Sequence, residues 1–129
     1  KIAILAGKSV VYPHCVNRTD MIALYPNDET SWQKGVLGIQ EPITERSTEV
    51  QPEEIDLVLC PCTAFDEDCN RLGMGAGYYD RFLPQCKNAT IAAVAFEVQK
   101  SPNVMTERHD HKMDKVVTDS CTYYRSEHR

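Results

Sequence analysis

The chain lacks any run close to the roughly 18 apolar residues that cross a bilayer, and no segment reads as a secretory signal, so it is not read as an integral membrane protein. It also lacks positive charge to spare: 14 Lys and Arg stand against 19 Asp and Glu, a net charge of −5. That balance excludes non-specific binding to nucleic acid or to an anionic membrane, though a few placed cations can still hold a nucleotide. Paired C-x-x-C spacing is missing as well. The six cysteines are scattered, Cys60 falls inside an apolar run, and the set reads as reduced thiols of a cytoplasmic protein without structural zinc. No Ser-His-Asp or Cys-His arrangement is visible, and there is no internal repeat, low-complexity block or linker. At 129 residues, 42% of them hydrophobic, the chain suits one domain over residues 1–129 with a single core. It opens on Lys1 rather than methionine, which reads as a fragment or a processed form.

Glycine is scarce too, six in all, but three of them alternate within Arg71-Leu72-Gly73-Met74-Gly75-Ala76-Gly77-Tyr78-Tyr79-Asp80. Lacking a Cβ, glycine reaches positive φ and lets another group approach the backbone, so successive amides can turn toward one anion. The plain alternative is a flexible turn before an ordinary helix. Two flanking residues favour a site. An arginine meets phosphate through forked hydrogen bonds, and an aspartate suits the magnesium that accompanies phosphate. The spacing is neither the G-x-G-x-x-G of a dinucleotide fold nor that of a kinase loop. Gly7-Lys8-Ser9 is no phosphate loop either, because Ile2 stands where a glycine is required.

Around this stretch the pattern predicts strands over 9–12, stopped by Pro13, and over 21–25, stopped by Pro26. Residues 30–39 read as a short helix or turn carrying the one tryptophan, Trp32, and 43–54 as a polar surface loop. Residues 55–60 form the strongest strand, apolar on both faces apart from Asp56, as in the middle of a parallel sheet. A loop over 61–70, a helix from Gly77 to about Cys86 with Tyr79, Phe82 and Leu83 inward, and a strand over 89–96 then complete a βαβ unit. Ligands of such sheets lie beyond the carboxyl ends of the strands, where Arg71 and Asp80 fall. A last strand over 115–118 precedes a polar tail.

A second constellation is Glu107-Arg108-His109-Asp110-His111-Lys112-Met113-Asp114. His109 and His111 point opposite ways in an extended segment, which disfavours a shared transition metal. What remains is a solvated loop, or one aspartate joining Asp80 on magnesium.

Leu57-Val58-Leu59 with Pro61, Ala64-Phe65-Asp66, and Asn70-Arg71 through Arg81 together resemble the signature of the 5-formyltetrahydrofolate cyclo-ligases, also called 5,10-methenyltetrahydrofolate synthetases. Gly38-Ile39-Gln40-Glu41-Pro42 is similar to a family segment upstream. Gln99, His109-Asp110 and Asp114 with Val116-Val117-Thr118 are similar to its carboxyl-terminal segment. The resemblance implies an α/β three-layer sandwich with a mostly parallel, Rossmann-like sheet. It implies ATP- and Mg2+-dependent ring closure of 5-formyltetrahydrofolate, with or without polyglutamate, to 5,10-methenyltetrahydrofolate, with release of ADP and phosphate, by a monomer or weak dimer. It assigns ATP to Arg71, Leu72, Gly73, Met74, Gly75, Ala76, Gly77, Tyr78 and Tyr79, and the folate to Met74, Gly75, Ala76, Gly77 and Tyr78. Asp80 and Asp110 match the magnesium positions, with Arg71 and Tyr78 as the catalytic pair. The family's helical lead-in, which supplies further basic and acidic contacts, has no counterpart here. That keeps open a non-catalytic domain that binds nucleotide or folate, or serves in interaction. Cys62 and Cys69 stand where the family commonly has glycine, which predicts strained or rebuilt turns.

Overall fold

The computed structural model describes residues 6–35, 38–73, 75–104 and 111–125. The amino-terminal half is antiparallel. Strands β1 (Tyr12–Cys15) and β2 (Met21–Pro26) form a hairpin, and β5 (Ser47–Val50) pairs with the far side of β2. The β1–β2 connection is an Asx turn, in which Asn17 Oδ1 accepts the N–H groups of Thr19 and Asp20, each at 2.8 Å. Pro13 does not stop β1 as predicted but lies inside it, opposite Ala23. It is tolerated because β1 is an edge strand, where a missing N–H costs no ladder bond.

Two further expectations for this half are corrected. Residues 30–39 are neither helix nor turn alone. β3 (Trp32–Lys34) pairs antiparallel with β4 (Gln40–Pro42), and Trp32 packs edge-on against Tyr12 at 4.8 Å between ring centroids. The polar stretch 43–54 is not a plain loop either, since it holds β5 between two 3-10 turns, Thr44–Arg46 and Pro52–Glu54. Its few apolar residues hid a strand that needs only backbone pairing to β2.

The second sheet positions the site. β6 (Leu57–Cys60), β9 (Thr90–Val94) and β10 (Lys115–Val117) run parallel, and β11 (Thr122–Tyr124) adds antiparallel to β10. The last of these lies in what the sequence presents as a polar tail. Between β6 and β9 the chain forms a two-residue ladder, β7 (Ala64–Phe65) with β8 (Arg71–Leu72), and then helix α1 (Tyr78–Phe82). The βαβ unit is therefore as expected, but its helix is five residues long and passes into a 3-10 turn, Leu83–Gln85, instead of continuing to Cys86. Pro84 accounts for this, because it cannot donate to a continuing helix.

Alternation along the strands sends Cys60, Ile91, Ala93 and Val116 to one face, where Phe65, Phe82, Leu83 and Met113 complete the core. The predicted inward residues Phe82 and Leu83 are buried, and Tyr79 is half-buried. The opposite face differs from expectation. Among the described residues β6 is an edge strand rather than a central one, and Leu57 and Leu59 are 52% and 61% exposed. Val94 and Phe96 are exposed on the same side. The sheet is mixed and roughly α/β, with a packed layer on one face among the described residues.

Asp66 fixes the connection from β7 to β8. Its carboxylate accepts N–H groups from Asp68, Asn70 and Val104 and the Asn70 side-chain amide, at 2.9 to 3.1 Å. This closes a turn that puts Cys69 at φ +64°, the strained left-handed position predicted where the family carries glycine. Burial pushes the Asp66 carboxyl up, but these hydrogen bonds outweigh it and hold it below its ordinary value. Asp66→Asn is expected to lose roughly 2–3 kcal/mol at pH 7, since each carboxylate oxygen accepts two of the four donors and two of them then face an amide NH2. A depressed folded-state value stabilises above the unfolded value near 3.9 and is lost as pH falls through the folded one. Urea unfolding at pH 7 and pH 3 should therefore show the gap between wild type and variant closing in acid. A gap independent of pH would assign the loss to shape rather than charge.

Candidate nucleotide and folate site

Arg71 is the last element of the β7–β8 ladder to face inward, and its side chain is 4% exposed. Nε donates to the Pro61 carbonyl at 2.6 Å, just past the end of β6, and Nη1 donates to Asp80 Oδ1 at 3.3 Å. The guanidinium lies over the Tyr79 ring at 5.4 Å. A Cβ at Gly73 would come within 2.9 Å of Arg71 Nη2, so this glycine makes room for the arginine. Arginine, aspartate and tyrosine thus form one packed unit under the carboxyl edge of the sheet.

The loop above it turns on Gly75 at φ +99° and Gly77 at φ +75°. Among the described residues, none accepts a hydrogen bond from the N–H groups of Gly75, Ala76 or Gly77. Leu72 is half-exposed beside them, and Met74 lies outside the described residues. Because α1 is so short, its dipole adds little, and the anion-binding capacity rests on the loop amides rather than on a helix terminus.

Tyr78 is expected beside Arg71 in the chemistry, yet its hydroxyl donates to the Asn17 carbonyl at 2.7 Å, which ties α1 to the β1–β2 turn. Arg81, one turn on, donates to the Thr19 carbonyl at 2.6 Å and to the Ala76 carbonyl at 2.8 Å. Neither the 17–20 turn nor Arg81 is marked as part of the site by sequence reasoning. The signal was present in Asn17-Arg18-Thr19-Asp20, which is an Asx-turn string as much as a glycosylation sequon.

Asp80 has one carboxylate oxygen on Arg71, a side chain 17% exposed, and no other described partner for its second oxygen. A hard oxygen donor left open in this way fits an ion that takes oxygen ligands and keeps several waters. Among the described residues no group of three or more His, Cys, Asp or Glu side chains converges as a metal cage. His109 and Asp110 lie outside the described residues. His111 is described: half-buried, with its imidazole pushed down by burial, while Asp114 and Asp80 push it the other way. It therefore lies within electrostatic reach of Asp80. Asp114 is committed to the sheet, accepting the Ile91 N–H at 2.7 Å and donating its own N–H to the Ile91 carbonyl at 2.9 Å.

Gln99 bridges the ends of β6 and β9, donating to the Cys62 and Thr63 carbonyls at 3.0 and 3.1 Å. Beside it a cleft of about 290 Å³ opens between the ends of β9 and β10, with Val94, Phe96 and Val117 as apolar walls and Thr118 and Asp119 as polar ones. The cysteines do not contribute to the site as nucleophiles. Cys60, Cys62, Cys69 and Cys86 are buried, and burial pushes the Cys60 thiol up to about 11. Reagent titration of unreduced, denatured protein should return six thiols. In native protein only Cys15 and Cys121 should react quickly, and fast reaction of four or more would contradict the burial.

A glycine loop, a buried arginine and an open carboxylate at the carboxyl edge of parallel strands occupy the place where open α/β sheets take their ligands. Comparison with known proteins gives the family. Residues 1–119 match the 5-formyltetrahydrofolate cyclo-ligase family, and the chain belongs to it. The mouse 5-formyltetrahydrofolate cyclo-ligase is 34% identical over 116 residues, covering 78% of this chain and 54% of its own length. The Haemophilus influenzae 5-formyltetrahydrofolate cyclo-ligase is 32% identical over 110 residues, covering 82% of this chain and 59% of its own. In structure, the Aquifex aeolicus 5,10-methenyltetrahydrofolate synthetase aligns with a TM-score of 0.80 at 27% identity, over 99% of this chain and 64% of that one. The chain thus spans little more than half the length of these two curated relatives.

Proposed function

We propose that this domain carries the ATP-dependent closure of 5-formyltetrahydrofolate to 5,10-methenyltetrahydrofolate, with release of ADP and phosphate. The observation that supports it most is the loop at 75–77, whose amides are uncommitted among the described residues, set between buried Arg71 and Asp80. In this reading the formyl oxygen attacks the γ-phosphate, N10 of the same folate then adds to the activated carbon, and phosphate leaves with the N10 proton lost. Such chemistry needs positioning and charge neutralisation rather than a protein nucleophile, which matches a site whose buried cysteine is held as a thiol. Residues 71–79 cradle ATP, with 74–78 also facing the folate. Arg71 holds Asp80 and sets positive charge beneath the loop, while Tyr78 keeps α1 seated. Asp80, with Asp110, would hold magnesium, which when bound neutralises phosphate charge and polarises the transferring group. The reading also carries the three-layer, Rossmann-like architecture of the whole protein, a folate partner with or without polyglutamate, a cytoplasmic setting, and a monomer or weak dimer. Among the described residues, no helix is long and apolar enough to cross a membrane.

A second reading, a non-catalytic domain that binds nucleotide or folate or serves in interaction, draws on the exposed apolar residues Leu57, Leu59, Val94 and Phe96. One experiment separates the two. Purified protein is given MgATP and 5-formyltetrahydrofolate, methenyltetrahydrofolate absorbance is followed, and binding of each ligand is titrated in parallel. Turnover supports the enzyme. Binding without turnover supports the second reading, and neither would reject both.

A further inference from the structure

We infer that Arg81 is a positioning residue that locks the peptide between Ala76 and Gly77 in the orientation that presents loop amides to phosphate. The inference rests on the nucleotide-site reading above. The Ala76 carbonyl accepts from Arg81 Nη2 at 2.8 Å. In a planar trans peptide the carbonyl and the following N–H point in opposite directions, so the Gly77 N–H is turned away from Arg81. Reversing this peptide turns ψ of Ala76 and φ of Gly77, and Gly77, held at φ +75° without a Cβ, makes that reversal sterically cheap. A reversed peptide would put a carbonyl oxygen where an amide is needed, and phosphate would meet a like partial charge.

What holds Arg81 is equally specific. Nε is anchored on the Thr19 carbonyl at 2.6 Å, and the guanidinium lies over the Tyr78 ring at 5.4 Å. The Tyr78 hydroxyl holds the same turn through Asn17. A Cβ at Gly77 would come within 2.7 Å of Arg81 Nη1, so this glycine supplies both the backbone angle and the room for the latch. Lysine keeps the charge but cannot reach two divergent carbonyls with one planar fork.

The test compares wild type, Arg81→Gln and Arg81→Lys by titration calorimetry with MgATP and, separately, with magnesium tripolyphosphate. Both variants are expected to bind each probe at least about tenfold more weakly, while melting within about 4 °C of wild type. Loss on tripolyphosphate assigns the effect to phosphate rather than to the nucleoside. Wild-type affinity in Arg81→Gln, or full rescue by Arg81→Lys, would overturn the latch. The amide resonances of Gly75 and Gly77, recorded without ligand, provide a readout independent of the nucleotide reading. They should shift in both variants, and unchanged resonances would also overturn the inference. If wild type binds neither probe, the nucleotide reading falls and the resonances alone decide the latch. Should Arg81→Gln fail to fold, Arg81→Lys carries both measurements.

Discussion

Gly75→Val is expected to weaken MgATP binding by at least about tenfold, ~1.4 kcal/mol, with little change in melting temperature. Gly75 sits at φ +99°, and a Cβ built there meets nothing within 4 Å. The added Cβ therefore collides with no part of the fold. Its cost is backbone strain of roughly 1–2 kcal/mol, which an exposed loop relieves by moving, and that movement scatters the amides. The branched methyls also fill the space where phosphate oxygens would approach. Gly7→Val supplies the control, because Gly7 has φ +82°, an equally open surrounding and no place in the site. Calorimetric titration should separate the two variants, with loss at position 75 and none at position 7. Equal affinity in both would reject the loop as the phosphate cradle.

Asp80→Asn should reduce magnesium-dependent turnover by at least about a hundredfold, the largest effect expected here, for two reasons that can be measured apart. On the proposed reading, the neutral amide removes a charged oxygen ligand of magnesium. It also leaves the Arg71 guanidinium, 4% exposed, without its anionic partner. Removing one member of a buried pair costs about 3–5 kcal/mol. Here Arg71 keeps its bond to the Pro61 carbonyl and Asp80 is part-exposed, so roughly 2 kcal/mol of stability is expected, read by urea unfolding. Turnover is then followed against magnesium concentration at a temperature where both proteins are folded. Asp110→Asn should resemble Asp80→Asn in turnover, and His111→Ala should do much less, because magnesium prefers oxygen. Equal, small effects of all three would leave the carboxylate pair without support.

The exposed apolar face bears on any such measurement. Leu57, Leu59, Val94 and Phe96 leave one side of a mainly parallel sheet open to water, whereas parallel sheets normally carry cover on both faces. Assays at low protein concentration, with light scattering recorded alongside, keep self-association apart from loss of activity.

Sequence alone determined the βαβ unit and brought forward the stretch from which the site is proposed. A long apolar run reports a strand because burial demands it, and of the three glycines between Arg71 and Asp80 two report a left-handed backbone and one the room Arg71 needs. Cys69 was conspicuous through the resemblance, which puts glycine there, and its φ of +64° agrees, whereas Cys62, read the same way, holds no left-handed angle. The hairpin at Trp32 to Pro42, the strands over 47–50 and 122–124, and the bare face of β6 were not legible. Those strands are held by backbone hydrogen bonds to the strands beside them, which leave no apolar period to read. Pairing of Arg71 with Asp80 was likewise decided in three dimensions, because a signature names residues but not which of them face each other. So was the seating of Tyr78 and Arg81 on the Asn17–Asp20 turn. That contact spans about sixty residues of chain, and only the packing of the helix against the first hairpin brings the two carbonyls within reach.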